Sequence, residues 1–395
     1  MTVRHPDPPS SPRKAPTLLT SRHSLRSRFS RKARATVVTL VCTATVLAGC
    51  SGTDNGGSPD ARGKAAEPAV SAALPDLPDP ADLPDPRTLT GVGAVTGVGE
   101  PVPVTDDPMP QLPVELTDAD GYDVVVDDVS RILALDLYGA YTKTLIGLGM
   151  RDSIIGRTVS SDEPSLANLP VVTQGGHNIN VEAVLELNPS LVIVDHSIGP
   201  REAIDQIREV GVPVVVMEPL HTVDGISEDI MNLGGVIGLP TDAEALAERS
   251  VAEYERAVED IRTITPEDPL RMAFLYARGT GGVFFILGEE DGVSELIQGV
   301  GGIDVATENG IRTASPANAE ALAKLNPDVF IMMEKGLEST DGIDGLLERP
   351  GVAQTVAGQN RRVVTVPDGQ ALAFGPQTGD LLERLALELY APESK

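Results

Sequence analysis

The chain has 395 residues, is 41% hydrophobic and carries a formal charge of −27. That length allows two domains, and a surface this acidic excludes nucleic acid as a partner, because there is no basic footprint to neutralise phosphates. The two cysteines, Cys42 and Cys50, point to a core rather than disulfides as the source of stability.

The charge is uneven along the chain. Residues 1–49 hold nine of the 31 basic residues and one of the 58 acidic ones, Asp7, so the remainder has 22 basic against 57 acidic side chains. The basic cluster precedes ATVVTLVCTATVLAG, an apolar run too short to span a bilayer comfortably. This is the layout of a signal peptide over residues 1–49. Cys42 falls within that run, which would leave Cys50 as the sole mature cysteine. From residue 50 to about 117 the chain is rich in Gly, Pro, Asp and Ala, with the repeated Leu-Pro-Asp units of LPDLPDPADLPDP. This stretch is expected to be a disordered, partly polyproline tether.

Ordered patterning is expected from residue 118. DVVVDD and ILALD read as strands, LYGAYTKTLIGLG as a helix closed by glycine, and DSIIGRT as a further strand. REAIDQIREVG, VPVVVME and ISEDIMNLGGVIG continue the alternation of helix and strand to residue 240, which predicts parallel α/β units. The longest helical pattern spans 241–264, with Thr241 and Asp242 as caps and Pro266 beyond its end. From 265 to 395 the alternation resumes with RMAFLYAR, VFFILG, DGVSELIQGVG, RRVVTVP and DLLERLALELY.

The two halves share a unit. Asn180, Glu182, Ala183, Leu187, Asn188, Pro189 and Ile193 recur as Asn318, Glu320, Ala321, Leu325, Asn326, Pro327 and Ile331. A fixed offset predicts the same helix-to-strand element in both. The fold expected is therefore α/β: two Rossmann-like lobes joined by a single long α-helix, with a ligand cleft between them. No G-x-S-x-G, P-loop, H-E-x-x-H or C-x-x-C pattern appears, so a binding protein rather than an enzyme is expected.

Leu47-Ala48-Gly49-Cys50 resembles the bacterial lipobox. Together with the tether, the paired N-x-E-x-x-x-x-L-N-P units (Ser190 replacing the usual aspartate after the first) and the long helix, it makes the chain similar to substrate-binding lipoproteins of ABC importers for iron chelates, haem and cobalamin. The resemblance implies lipidation at Cys50, a location at the extracytoplasmic face of the cell membrane, and an ABC permease and ATPase as partner. In related importers an acidic residue near the top of each lobe meets the permease. Glu320 matches the second-lobe position, and Glu202 lies near the first.

GGHN around His177 and YARGTGG around Tyr276 resemble segments of the actinobacterial haem-binding lipoproteins of the HmuT type. That resemblance implies His177 and Tyr276 as haem iron ligands from opposite lobes, Arg278 supporting the tyrosine, haem b as the transported ligand, and upstream haem-binding surface proteins as a further partner. The residues have their own chemistry. In a strand, Met272, Phe274, Tyr276 and Arg278 share a face, so Tyr276 and Arg278 are neighbours. A phenol ordinarily titrates near 10, and a guanidinium and a ferric ion both favour its anion. Imidazole is a common axial partner. Taken singly, a loop histidine is ordinarily solvated and a strand tyrosine ordinarily core.

His196 ends a strand beside the expected cleft, as Met332 and Met333 do in the second lobe, where lining the cleft competes with filling the core. His221 is expected to be solvated. A ferric-siderophore or cobalamin receptor is the alternative on the same scaffold, with Arg278, Arg312 and Arg157 as the few basic candidates.

Overall fold

A computed structural model describes residues 77–392. The signal-peptide layout, Cys50 and the first part of the expected tether lie outside the described residues. In chain order, β1 (Val92–Ala94), β2 (Val114–Thr117) and β3 (Asp123–Val126) come first. Then follow β4 (Ile132–Leu135), α1 (Ala140–Gly147), β5 (Thr173–Gln174), β6 (Asn178–Ile179), α2 (Val181–Glu186), β7 (Leu191–Val194), α3 (Arg201–Glu209), β8 (Val214–Val216) and α4 (Ile226–Val236). The connecting helix is α5 (Pro240–Ile264). Beyond it come β9 (Arg271–Arg278), β10 (Val283–Ile286), α6 (Val293–Gly299), β11 (Ile303–Asp304), α7 (Val305–Glu308), β12 (Ser315–Pro316), α8 (Ala319–Leu325) and β13 (Val329–Met333). The last elements are α9 (Glu334–Glu338), α10 (Gly342–Leu347), α11 (Val356–Gln359), β14 (Val363–Val366) and α12 (Thr378–Tyr390).

The apolar runs decide the sheets. LVIV in β7 and VFIMM in β13 are buried along their whole length, as expected for parallel strands covered on both faces. In the N-terminal lobe β4, β7 and β8 pair in parallel. In the C-terminal lobe the order is β1-β14-β13-β9-β10-β12, with β11 also on β9. Strands β14, β13 and β9 run parallel there, while β10 returns antiparallel. DSIIGRT makes only isolated bridges, at Ile154 and Arg157, instead of the strand expected.

The repeat has a physical basis. The Asn180 side chain accepts a hydrogen bond from Ala183 N at 3.2 Å and that of Asn318 from Ala321 N at 2.9 Å, so each caps its helix. Asn188 and Asn326 then take positive φ, 48° and 39°, a conformation asparagine tolerates better than most residues. Proline follows, and neither helix continues.

The tether expected to reach residue 117 ends earlier. Residues 77–117 belong to the fold: two short 3-10 turns lead into β1, which pairs with β14, and Val95 is buried in the C-terminal core. Asp85 caps the second turn through Arg87 N, and the Arg87 guanidinium bonds the carbonyls of Asp268 and Pro269. The Pro and Asp residues thus serve local turn chemistry.

From Val95 to Pro113 the chain forms no helix or strand and bonds to both lobes. Gly99 N donates to Asp380 Oδ2 on α12 at 3.0 Å, and Val104 N to the Gly147 carbonyl on α1 at 2.9 Å. α5 packs against both α4 and α12. The lobes also meet directly: Phe374, from the C-terminal lobe, belongs to the N-terminal core cluster, and Val223 N donates to the Glu295 carboxylate on α6.

Candidate functional site

Between the lobes lies a cavity of about 840 Å³ lined from both sides. On the N-terminal wall, β5 and β6 form a small hairpin whose tip is Gly175, Gly176 and His177. The two glycines have φ of 59° and 90°, a region that side chains with a Cβ rarely enter. They reverse the chain and leave His177 exposed at the tip. The His177 carbonyl accepts from Gly199 N at 2.9 Å, which ties the hairpin to the end of the loop after β7.

Tyr276 stands on the opposite wall. The alternation read from sequence holds: Met272 and Phe274 are buried in one cluster with Tyr276 packed against it, while Ala273, Leu275 and Ala277 belong to another. Tyr276 is half-buried and pairs across strands with Phe285, which also lines the cavity. The guanidinium of Arg278 lies 4.7 Å from the centre of the Tyr276 ring. Arg278, expected to support the tyrosine, covers its ring face and bonds Asp368 Oδ1 at 2.8 Å, the Ala277 carbonyl at 3.1 Å and Met333 Sδ at 3.4 Å.

The remaining candidates separate. Met333 lines the cavity, but its neighbour Met332 points to the other face of β13 and is wholly buried, since successive side chains alternate. His196 does not line the cleft: it is exposed and shares Asp120 with Arg201, at 2.9 Å and 3.2 Å. Glu202 and Glu320 are exposed in the first turns of α3 and α8. Arg312 pairs with Glu289 and Glu290, and Arg157 bonds the Thr158 and Ser161 carbonyls.

His221 is not solvated as expected. Its Nε2 lies 3.5 Å from Asp195, its ring centre is 4.5 Å from that of Tyr138, and both rings line the cavity. Behind them, at the C-terminal ends of β4 and β7, sit two buried carboxylates. Asp195 accepts from Tyr141 at 3.0 Å and from Ser197 N at 2.8 Å. Asp136 accepts from Ala140 N at 2.8 Å, and its Oδ1 has no partner among the described residues. Burial first, then the charge of Asp195, pushes the Asp136 carboxyl up to about 7. Burial works against a charged His221, yet its bond to Asp195 and the nearby carboxylates raise its pKa overall. This cluster had no signal in sequence, because three loops from separate strands assemble it.

The arrangement offers one nitrogen and one oxygen donor from opposing walls, with aromatic and aliphatic side chains between them. That suits a planar chelate whose ring already fills the equatorial positions of its metal.

A family model described as "Periplasmic binding protein" matches residues 136–369. The chain is a periplasmic binding protein. A crystal structure of the heme-binding protein HmuT is 63% identical and superposes with a TM-score of 0.76, covering 78% of this periplasmic binding protein and all of that chain. Solved variants of HmuT replace a histidine, a tyrosine and an arginine by alanine. In that protein's numbering the tyrosine follows the histidine by 99 residues and the arginine follows the tyrosine by two, the spacing of His177, Tyr276 and Arg278 here. The heme-binding protein RhuT of Roseiflexus sp. RS-1 is 34% identical, with a TM-score of 0.62, over 66% of this chain and 98% of its own. The ABC transporter substrate-binding lipoprotein YvrC of Bacillus subtilis is 23% identical over 282 residues, 70% of this chain and 86% of its own. The expectation of a binding protein rather than an enzyme stands with the family. Among the described residues no helix is long and apolar enough to cross a membrane.

Proposed function

We propose that the protein is an extracytoplasmic receptor that binds ferric haem b in the cleft and delivers it to an ABC permease. Tyr276 from the C-terminal lobe and His177 from the N-terminal lobe are the iron ligands in this reading. Arg278, held by Asp368 over the phenol ring, supports the tyrosinate once iron has displaced its proton. The observation that carries the reading is the placement of His177 and Tyr276 on opposite walls of one cavity, at the spacing of the residues varied in HmuT. Lipidation at Cys50 would hold the receptor at the membrane. Glu320 and Glu202, exposed on their helices, are the proposed contacts for basic residues of the permease.

Hemin titrated into the purified folded region should produce a Soret band that saturates at a fixed stoichiometry. No change in the visible spectrum would sink the reading. Competition between hemin, a ferric siderophore and cobalamin then separates haem from the alternatives on the same scaffold.

A further inference from the structure

Haem carries two carboxylates, and the residues assigned so far hold only its iron. Besides His177, already assigned to the iron, three side chains that line the cleft can be positive: Arg278, His221 and Lys335. Arg278 is committed to Asp368. His221 is committed to Asp195 and sits close to Asp136 and Asp229, surroundings that repel a further carboxylate. The Lys335 ammonium makes no ion pair among the described residues, which include six arginines packed in this lobe that do.

The backbone fixes Lys335 beside the tyrosine. Its N–H donates at 2.9 Å to Asp368 Oδ2, the carboxylate whose other oxygen holds Arg278. The next residue packs so closely that a Cβ on Gly336 would lie 3.0 Å from Arg278 Nη1. With both Asp368 oxygens occupied, the lysine side chain is left exposed at the cleft.

Sheet order then gives the cleft a direction. Tyr276 is on β9, between β13, which leads into Lys335, and β10, which leads into the acidic run Glu289, Glu290 and Asp291. Arg312 pairs with Glu289 and Glu290 and offsets one of the three charges, so the run stays net negative: a dianionic edge is repelled on the β10 side and attracted on the β13 side.

We propose that Lys335 holds a carboxylate of the ligand, a propionate if the ligand is haem, and so directs the anionic edge of the macrocycle toward β13. This rests on the haem reading. The test pairs two ligands with three proteins: hemin and hemin dimethyl ester titrated into wild type, Lys335→Ala and Lys335→Arg. The alanine variant should bind hemin about tenfold more weakly and the ester within about twofold of wild type, while arginine restores hemin binding. An equal loss for both ligands, or no loss for hemin, overturns the assignment. Failure of the haem reading shows itself separately, as absence of a Soret response in the wild type before any variant is compared, and it overturns the assignment as well. Lys335 is exposed, so a matched melting temperature should confirm that the variants fold.

Discussion

The two walls of the cleft hold their donors in different ways. Tyr276 is part of an eight-residue strand, half-buried, with a cross-strand aromatic partner and a guanidinium pinned over its ring. His177 sits exposed on a hairpin tip, positioned by two left-handed glycines and one carbonyl hydrogen bond. A donor fixed by several independent contacts loses little freedom on binding, whereas one on a tip must be ordered by the ligand. The C-terminal wall is therefore expected to supply most of the affinity, and the N-terminal wall to complete the coordination.

The sharpest way to break that comparison is Tyr276→Ala. It should weaken hemin binding by at least about 100-fold, roughly 2.8 kcal/mol, measured by Soret titration. A smaller loss than in His177→Ala would reverse the ranking of the walls. The Asp368→Asn change removes the charge that pins Arg278 and leaves one acceptor oxygen where Arg278 and Lys335 N use two, and an effect near the lower end of the range of about 10 to 100-fold is expected for a group that orients a ligand. His177→Ala should cost about tenfold and shift the Soret maximum, because one axial donor is replaced.

The smallest effect concerns stability. Folded Asp136, at about 7, keeps a proton that the unfolded chain, near 3.8, has released. Its contribution to stability thus falls as pH rises through that window. Asp136→Asn keeps an acceptor for Ala140 N and removes the penalty. Melting temperature should rise relative to wild type at pH 8, by about 2–4 °C per kcal/mol relieved, and the two proteins should converge at pH 4. Glu383, buried on α12 and also pushed up to about 7, titrates in both proteins, so the difference between them is the readout. An unchanged difference across this pH range would refute the account.

Much of this was legible in sequence, and the reason is locality. The capping asparagines Asn180 and Asn318 act on residues three positions away, and Tyr276 and Arg278 share a face because a strand has a period of two. What was not legible depends on distant partners. Asp368 meets Arg278 across 90 residues, and Lys335 joins them only because β14, β13 and β9 are adjacent in the sheet. His221 is partly buried because Asp195, on another strand, gives its ring a partner. Residues 92–94 form a strand only against Val363, Val364 and Thr365. A three-residue run amid Gly and Pro has no period of its own.

Those early residues have a mechanical consequence. The polypeptide passes between the lobes twice, once as α5 and once as the segment bonded to α12 at Gly99 and to α1 at Val104. A panel hung on one pin can swivel about any axis, but on two pins it turns only about the line through both. Any opening of the cleft would then turn about that line, and would have to draw Phe374 out of the N-terminal core and break the bond from Val223 N to Glu295.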